Sequence, residues 1–211
     1  PVLIDTSAGK VRGFLNQDIK TFKGIPYGAS TAGKNRFMPP VKKTPWTGAR
    51  EAMAFGPSSP QPDTPAGSPG NAEDCLMLNV FTPGVGENRK RPVMVWLHGG
   101  GFRNGSGSTP VLDGSSLAQS QDVVVVTLNH RLNVFGFTYL AQAIGPDFAE
   151  AGTVGMMDLV VALERVRDNI GQFGGDPGLV TIFGQSGGGR KVATLSVCDA
   201  ASLAGAPPEP R

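Results

Sequence analysis

A chain of 211 residues with 39% hydrophobic residues, 17% charged residues and a net charge of +2 is globular, and long enough to close one sizeable core without disulfide or metal staples. Two cysteines make no disulfide framework, no Cys-x-x-Cys or histidine cluster offers a zinc ligand set, and no apolar run approaches a membrane span. The 30 glycines and 18 prolines, about twice the usual share, imply many turns and close backbone approaches, and they show no Gly-X-Y period.

Residues 1–50 hold nine basic side chains against Asp5 and Asp18, so the rest of the chain is net acidic. No aromatic stacking pattern interleaves those charges, which reads as a solvated face and not a nucleic-acid surface. The chain opens on Pro1 rather than Met and shows no signal peptide, so removal or trimming of an upstream piece is expected. Val2–Ile4, Val11–Phe14 and Lys20–Phe22 have the composition of short strands, broken by Gly9, Gly13 and Gly24. Eight of the prolines fall between Pro39 and Pro69, which predicts a long irregular connection that serves a site or wraps a core.

From Leu76 the character changes. Leu76–Phe81, Val93–Leu97, Val123–Asn129 and Leu179–Phe183 are dense apolar runs bounded by Gly, Pro, Asn and Asp. Runs such as Val123-Val124-Val125-Val126 suit strands buried on both faces of a mostly parallel sheet. Between the last two strands, Leu159, Leu163, Val166 and Ile170 mark one face of a helix over about 154–170, with Gly171 as its stop. Strand, helix, strand predicts an α/β sheet.

The last strand leads into Gly184-Gln185-Ser186-Gly187-Gly188, a G-x-S-x-G pentapeptide that lifts a serine onto a sharp strand-to-helix corner. In a chain this rich in Gly and Ser, chance supplies about 0.25 such matches, so the context carries the weight: Val180–Phe183 before it and Lys191–Leu195 after it. A second feature reinforces it. His98-Gly99-Gly100-Gly101 closes the strand Val93–Leu97, and consecutive glycines there free backbone N–H groups to hold a developing oxyanion, with Gly187 as a further donor. A serine nucleophile also needs a base and an acid that orients it. The only histidines, His98 and His130, both lie at strand ends and read as structural. After Ser186 come the carboxylates Asp199 and Glu209 and no histidine.

Several further motifs stand in order: Gly24-Ile25-Pro26-Tyr27, Arg36-Phe37, Glu73-Asp74-Cys75-Leu76, Leu78-Asn79-Val80, Trp96 through Phe102, Asn129-His130-Arg131-Leu132, Asp168-Asn169-Ile170 and Phe173-Gly174-Gly175-Asp176-Pro177. With the serine corner, this set resembles the N-terminal part of type-B carboxylesterases, the carboxylesterase/cholinesterase family of α/β-hydrolases, over residues 1–195. Residues 196–211 diverge into a Pro-rich ending that reads as a frayed tail. The resemblance implies an incomplete α/β-hydrolase fold: the N-terminal part of a mostly parallel central sheet with flanking helices and a small N-terminal β region. It implies Ser186 as nucleophile on a small carboxylic ester, Gly100, Gly101 and Gly187 as oxyanion hole, and no cofactor or metal. It also implies two structural ion pairs, Arg36 with Glu73 and Arg131 with Asp158, whose burial would make loss of a partner costly.

The chain departs from the family pattern in three places. Gln185 stands where the family usually has Glu. Ser59 stands where many members place the cysteine that pairs with the one at Cys75, which leaves Cys75 a free thiol; a bond to Cys198 is the alternative. The third departure is the absence of the later acid and histidine, which predicts a truncated gene product, a fragment or one piece of a cleaved enzyme, with weak activity alone. An apolar sheet edge is then expected to seek self-association or a missing C-terminal half. A non-catalytic, cholinesterase-like interaction module and a non-functional remnant are the competing readings. Trp96 reads as core packing, and the Asn104-Gly105-Ser106 acceptor as an unmodified turn. For location, the family points to export or the periplasm, whereas unpaired thiols suit a reducing compartment.

Overall fold

The computed structural model describes residues 1–86 and 89–197. Strands β1 (Val2–Thr6), β2 (Gly9–Asn16) and β3 (Ile19–Pro26) form an antiparallel meander. They run longer than the sequence pattern suggests, because Gly13 and Gly24 lie inside strands and do not end them. A Cβ on Gly13 would stand 2.5 Å from the Phe22 ring, so β2 needs glycine where it folds closely over β3. Gly24, at φ 71, takes up a bulge at which the β3–β5 register shifts between Phe22 and Ile25. The Pro-rich connection is mostly irregular, but it includes a short exposed strand, β4 (Ala49–Glu51), parallel to β2.

Strands β5 (Met77–Thr82), β6 (Arg91–Leu97), β7 (Val124–Leu128) and β8 (Gly175–Gly184) complete a mixed sheet in the order β1-β2-β3-β5-β7-β6-β8. Pairing is antiparallel from β1 to β7 and parallel across β7-β6-β8. The all-valine run fits its place, since every residue of β7 is buried. Val124, Val126 and Leu128 join the larger core with Val93, Val95 and Leu97, while Val125 joins a smaller one with Ile19, Phe81 and Ala118. Helix α1 (Ser115–Gln121) covers the smaller core and links β6 to β7. The longer link from β7 to β8 passes through α2 (Asn133–Phe137), α3 (Ala141–Ile144) and α4 (Val154–Asn169), and α4 covers the larger core with Met156, Leu159, Ala162 and Val166.

The sequence places the helix stop at Gly171. Instead, α4 passes into a 3-10 turn over Ile170–Phe173, and the left-handed residue that ends it is Gly174 at φ 82. β8 begins four residues before the predicted Leu179 and takes in Pro177, which an edge strand tolerates because one side needs no N–H donor. Among the described residues β8 pairs only with β6, and Leu179 is 54% exposed there. Helix α5 (Gly187–Val197) follows β8 and lays Val192 and Leu195 on the larger core, two residues past the boundary expected at 195. The expected frayed tail, from 198 onward, lies outside the described residues, as do Cys198, Asp199 and Glu209.

Candidate active site

β8 runs into the corner Gly184-Gln185-Ser186-Gly187-Gly188, and α5 starts on Gly187. Ser186 sits at φ 57, in the left-handed region, where a side chain costs on the order of 1–3 kcal/mol. The flanking glycines impose this. A Cβ on Gly188 would press into the Leu97 carbonyl oxygen and lie 3.1 Å from its carbon, and one on Gly184 would lie 2.6 Å from the same oxygen. With both held against the end of β6, the chain turns off the sheet abruptly and leaves the Ser186 side chain exposed at the C-terminal end of the strand.

The glycine run occupies the end of β6, directly beside that corner. Gly100 (φ 92), Gly101 (φ 60) and Phe102 (φ 64) take three successive left-handed conformations. The loop curls tightly, and the N–H groups of Arg103 and Asn104 both return to the Gly100 carbonyl, at 3.0 and 3.2 Å. A Cβ on Gly187 would stand 2.7 Å from the Gly101 nitrogen, and one on Gly99 3.5 Å from the Ser186 Cβ, so loop and corner pack backbone on backbone. The N–H groups of Gly100, Gly101 and Gly187 donate to no acceptor among the described residues. Unpaired amides beside an exposed hydroxyl are the arrangement that stabilises negative charge developing on a carbonyl oxygen.

The Pro-rich connection braces this loop, which the sequence did not reveal beyond its length. Gln61 accepts from the Gly105 N–H at 2.8 Å and donates to the Gly105 carbonyl at 3.0 Å. Asn133 donates its backbone N–H to the Phe102 carbonyl (2.8 Å) and its amide to the Pro60 carbonyl (2.6 Å). Asn129 accepts from Gly107 N–H and from the Ser106 hydroxyl, at 2.8 and 3.0 Å. Ser106, the third residue of the Asn104 acceptor motif, is buried in this network.

His98 and His130 lie beneath the loop, stacked with ring centroids 5.0 Å apart. Each Nδ1 meets a carbonyl at 2.8 Å, Gly99 for His98 and Arg131 for His130, so each Nδ1 carries the proton. Both Nε2 atoms are buried without a partner, which makes these histidines only half satisfied. Burial, reinforced by Lys191, pushes His98 down to about 3 and His130 well below the usual imidazole range. Neither makes a hydrogen bond to Ser186 among the described residues. Lys191, on α5, is fully buried and donates to the His98 carbonyl at 2.8 Å. Its sequence signal was available: Gly187, Gly188, Lys191, Val192 and Leu195 share one helical face, and that face is the buried one.

The two ion pairs differ in burial. Arg131 meets Asp158 through Nε and Nη2 at 2.7–3.3 Å, its own N–H also reaches that carboxylate at 2.9 Å, and both side chains are closed off from solvent. Arg36 meets Glu73 through Nε and Nη2 at 2.7 and 2.5 Å, but its side chain is 44% exposed, so the burial expected of both pairs is found only in the first. The basic front of the chain is distributed in similar contacts, with Lys10 on Asp5, Arg12 on Glu51, Lys23 on Asp113 and Lys42 on Glu164. Cys75 is a buried free thiol, pushed up by burial, and the Ser59 Oγ accepts from the Leu132 N–H at 3.0 Å. Trp96 packs edge-on to Phe183 with ring centroids at 5.0 Å. No helix among the described residues is long and apolar enough to cross a membrane, and none of their His, Cys, Asp and Glu side chains group as metal ligands would.

A model of the carboxylesterase family matches residues 1–205, ten residues beyond the span read from the motifs. Para-nitrobenzyl esterase of Bacillus subtilis is 42% identical over 204 residues, covering 94% of this chain and 41% of that protein. Phenmedipham hydrolase of Pseudarthrobacter oxydans is 39% identical, covering 90% and 38%. Among solved structures, a carboxylesterase of Geobacillus stearothermophilus superposes with a TM-score of 0.89 at 45% identity, covering 95% of this chain and 41% of that one. The fold is thus that of the α/β-hydrolases. The chain belongs to the carboxylesterase family and spans about two-fifths of the length of the relatives it matches.

Proposed function

We propose that the chain carries the nucleophile and oxyanion hole of a carboxylic-ester hydrolase. The observation that carries this reading is the left-handed Ser186 standing exposed beside a glycine loop whose amides have no other acceptor. Ser186 Oγ attacks the ester carbonyl, and the N–H groups of Gly100, Gly101 and Gly187 receive the oxyanion. Collapse expels the alcohol with a proton and leaves an acyl-serine, and water then releases the acid and restores the hydroxyl.

The base that takes the serine proton is not supplied by His98 or His130, which are buried, neutral and turned to backbone carbonyls. In the family it comes from later in the chain, so residues 1–211 alone are expected to hydrolyse esters weakly. The exposed edge of β8 is where added strands would pair, and self-association is the alternative cover for it.

The likeness to a para-nitrobenzyl esterase recommends nitrophenyl and nitrobenzyl esters as test substrates. p-Nitrophenyl butyrate hydrolysis by the chain is expected to be slow and to vanish in Ser186→Ala. Hydrolysis that persists unchanged in Ser186→Ala would overturn the assignment.

A further inference from the structure

Lys191 is an ammonium with no solvent and no carboxylate. It is fully buried, it makes no ion pair among the described residues, and its Nζ meets one oxygen, the His98 carbonyl, at 2.8 Å. The same Nζ stands 5.2 Å from the centre of the Phe102 ring. His98 and Phe102 are the two ends of the glycine loop, so one side chain grips both. An isolated buried charge is expensive, and a helix position facing a core is ordinarily filled by an apolar residue.

The groups around it do not offset that charge. From the glycine loop it faces the neutral imidazole of His98. From beyond β7 it faces His130, behind which Arg131 is neutralised by Asp158 of α4. On its own helix, Arg190 is exposed.

We propose that Lys191 is a positioning residue of the reaction: its ammonium fastens the His98 carbonyl so that the amides of Gly100 and Gly101 face the developing oxyanion, and its unneutralised charge favours that oxyanion. The proposal rests on the reading of Ser186 as nucleophile. Because burial holds Lys191 down to about 8, the charge is lost in a pH range where serine chemistry otherwise accelerates.

The experiment follows fluorophosphonate labelling of the 211-residue chain by intact mass from pH 6.5 to 10, in wild type, Lys191→Met and Ser186→Ala. Wild-type labelling is expected to fall about tenfold above pH 8. Lys191→Met is expected to label about 10- to 100-fold more slowly at pH 7, less than the 10²–10³ cost of deleting a donor, and to lack the alkaline fall. Its melting temperature is expected to be equal or higher, because a buried charge has been removed. Amide hydrogen exchange at pH 7 provides a readout independent of the chemistry. The N–H groups of Arg103 and Asn104, which hold the loop on the Gly100 carbonyl, are expected to exchange faster in Lys191→Met while β7 does not change. Labelling within twofold of wild type, or unchanged exchange at Arg103 and Asn104, overturns the role. If Lys191→Met does not fold, the wild-type profile decides, and a rate still rising through pH 8 to 10 overturns it. A wild type that never labels, or a Ser186→Ala that labels equally, overturns the nucleophile assignment instead, and exchange still judges Lys191.

Discussion

Gly188→Ala tests how the corner is built. A Cβ there would come far closer to the Leu97 carbonyl oxygen than the 3.0 Å that real Cβ atoms respect, with the Leu97 carbon at 3.1 Å and the His98 carbon at 3.2 Å. All three are backbone atoms at the end of β6, so no side chain can swing aside, and relief requires α5 to move off the sheet. Overpacking of this kind typically costs 1–3 kcal/mol, and we expect about 3 because the obstacle is rigid. Guanidinium denaturation should lose about that much, and the melting temperature should fall by about 6–12 °C. Gly171→Ala is the control, since its Cβ would meet nothing within 4 Å and its φ is ordinary, and it should lie within about 0.5 kcal/mol of wild type. A Gly188→Ala protein as stable as the control would refute the close approach of corner and strand.

Ser59→Cys should form a disulfide with Cys75, because position 59 is where many carboxylesterases place the partner of this cysteine and both positions are buried. Closing a loop of about 15 residues should add about 3 kcal/mol, less the lost acceptor for the Leu132 N–H, and two thiols still titratable in addition to that of Cys198 would contradict it. Asp158→Asn strands the buried Arg131 guanidinium and should cost about 3–5 kcal/mol by urea denaturation, whereas a loss under 1 kcal/mol would count against the pair. The histidines set the acid limit. His98 is neutral in the fold down to about 3, so the native state binds fewer protons than the unfolded one and stability falls as pH drops below about 6.5. The slope is about 1.4 kcal/mol per pH unit for each histidine, with His130 acting in the same direction, so a urea midpoint that does not move between pH 7 and 5 would be inconsistent with both. Lys191 governs the alkaline side: its proton leaves at about 8 in the fold and near 10.5 in the unfolded chain, so stability should rise by about 3 kcal/mol between those values.

The parts of the fold that were legible in the sequence are those in which one physical requirement dominates. A run such as Val123–Val126 has no polar side to show to water, and it became a strand with both faces buried. Leu159 and Val166 mark the stripe by which α4 packs. Gly13 and Gly24 misled because a glycine inside a strand and a glycine ending one look alike until the neighbouring Phe22 is placed. Helix α1 carries Ser and Gln at five of its seven positions and buries only Ala118, so it has almost no period to detect. At the site, the serine corner and the glycine loop are local motifs and were readable. Gln61, Asn129 and Asn133 act across 22 to 73 residues of chain through single hydrogen bonds, which leave no local pattern. The charge of Lys191 draws attention away from the buried face on which it lies.

The most direct test of Ser186 as nucleophile is the intact mass of the chain after exposure to a fluorophosphonate, with Ser186→Ala in parallel. The wild-type protein is expected to carry one adduct, mapped to Ser186, and the variant none. An unlabelled wild type that melts cooperatively would contradict that assignment, because a folded corner and glycine loop would then be present without a reactive serine.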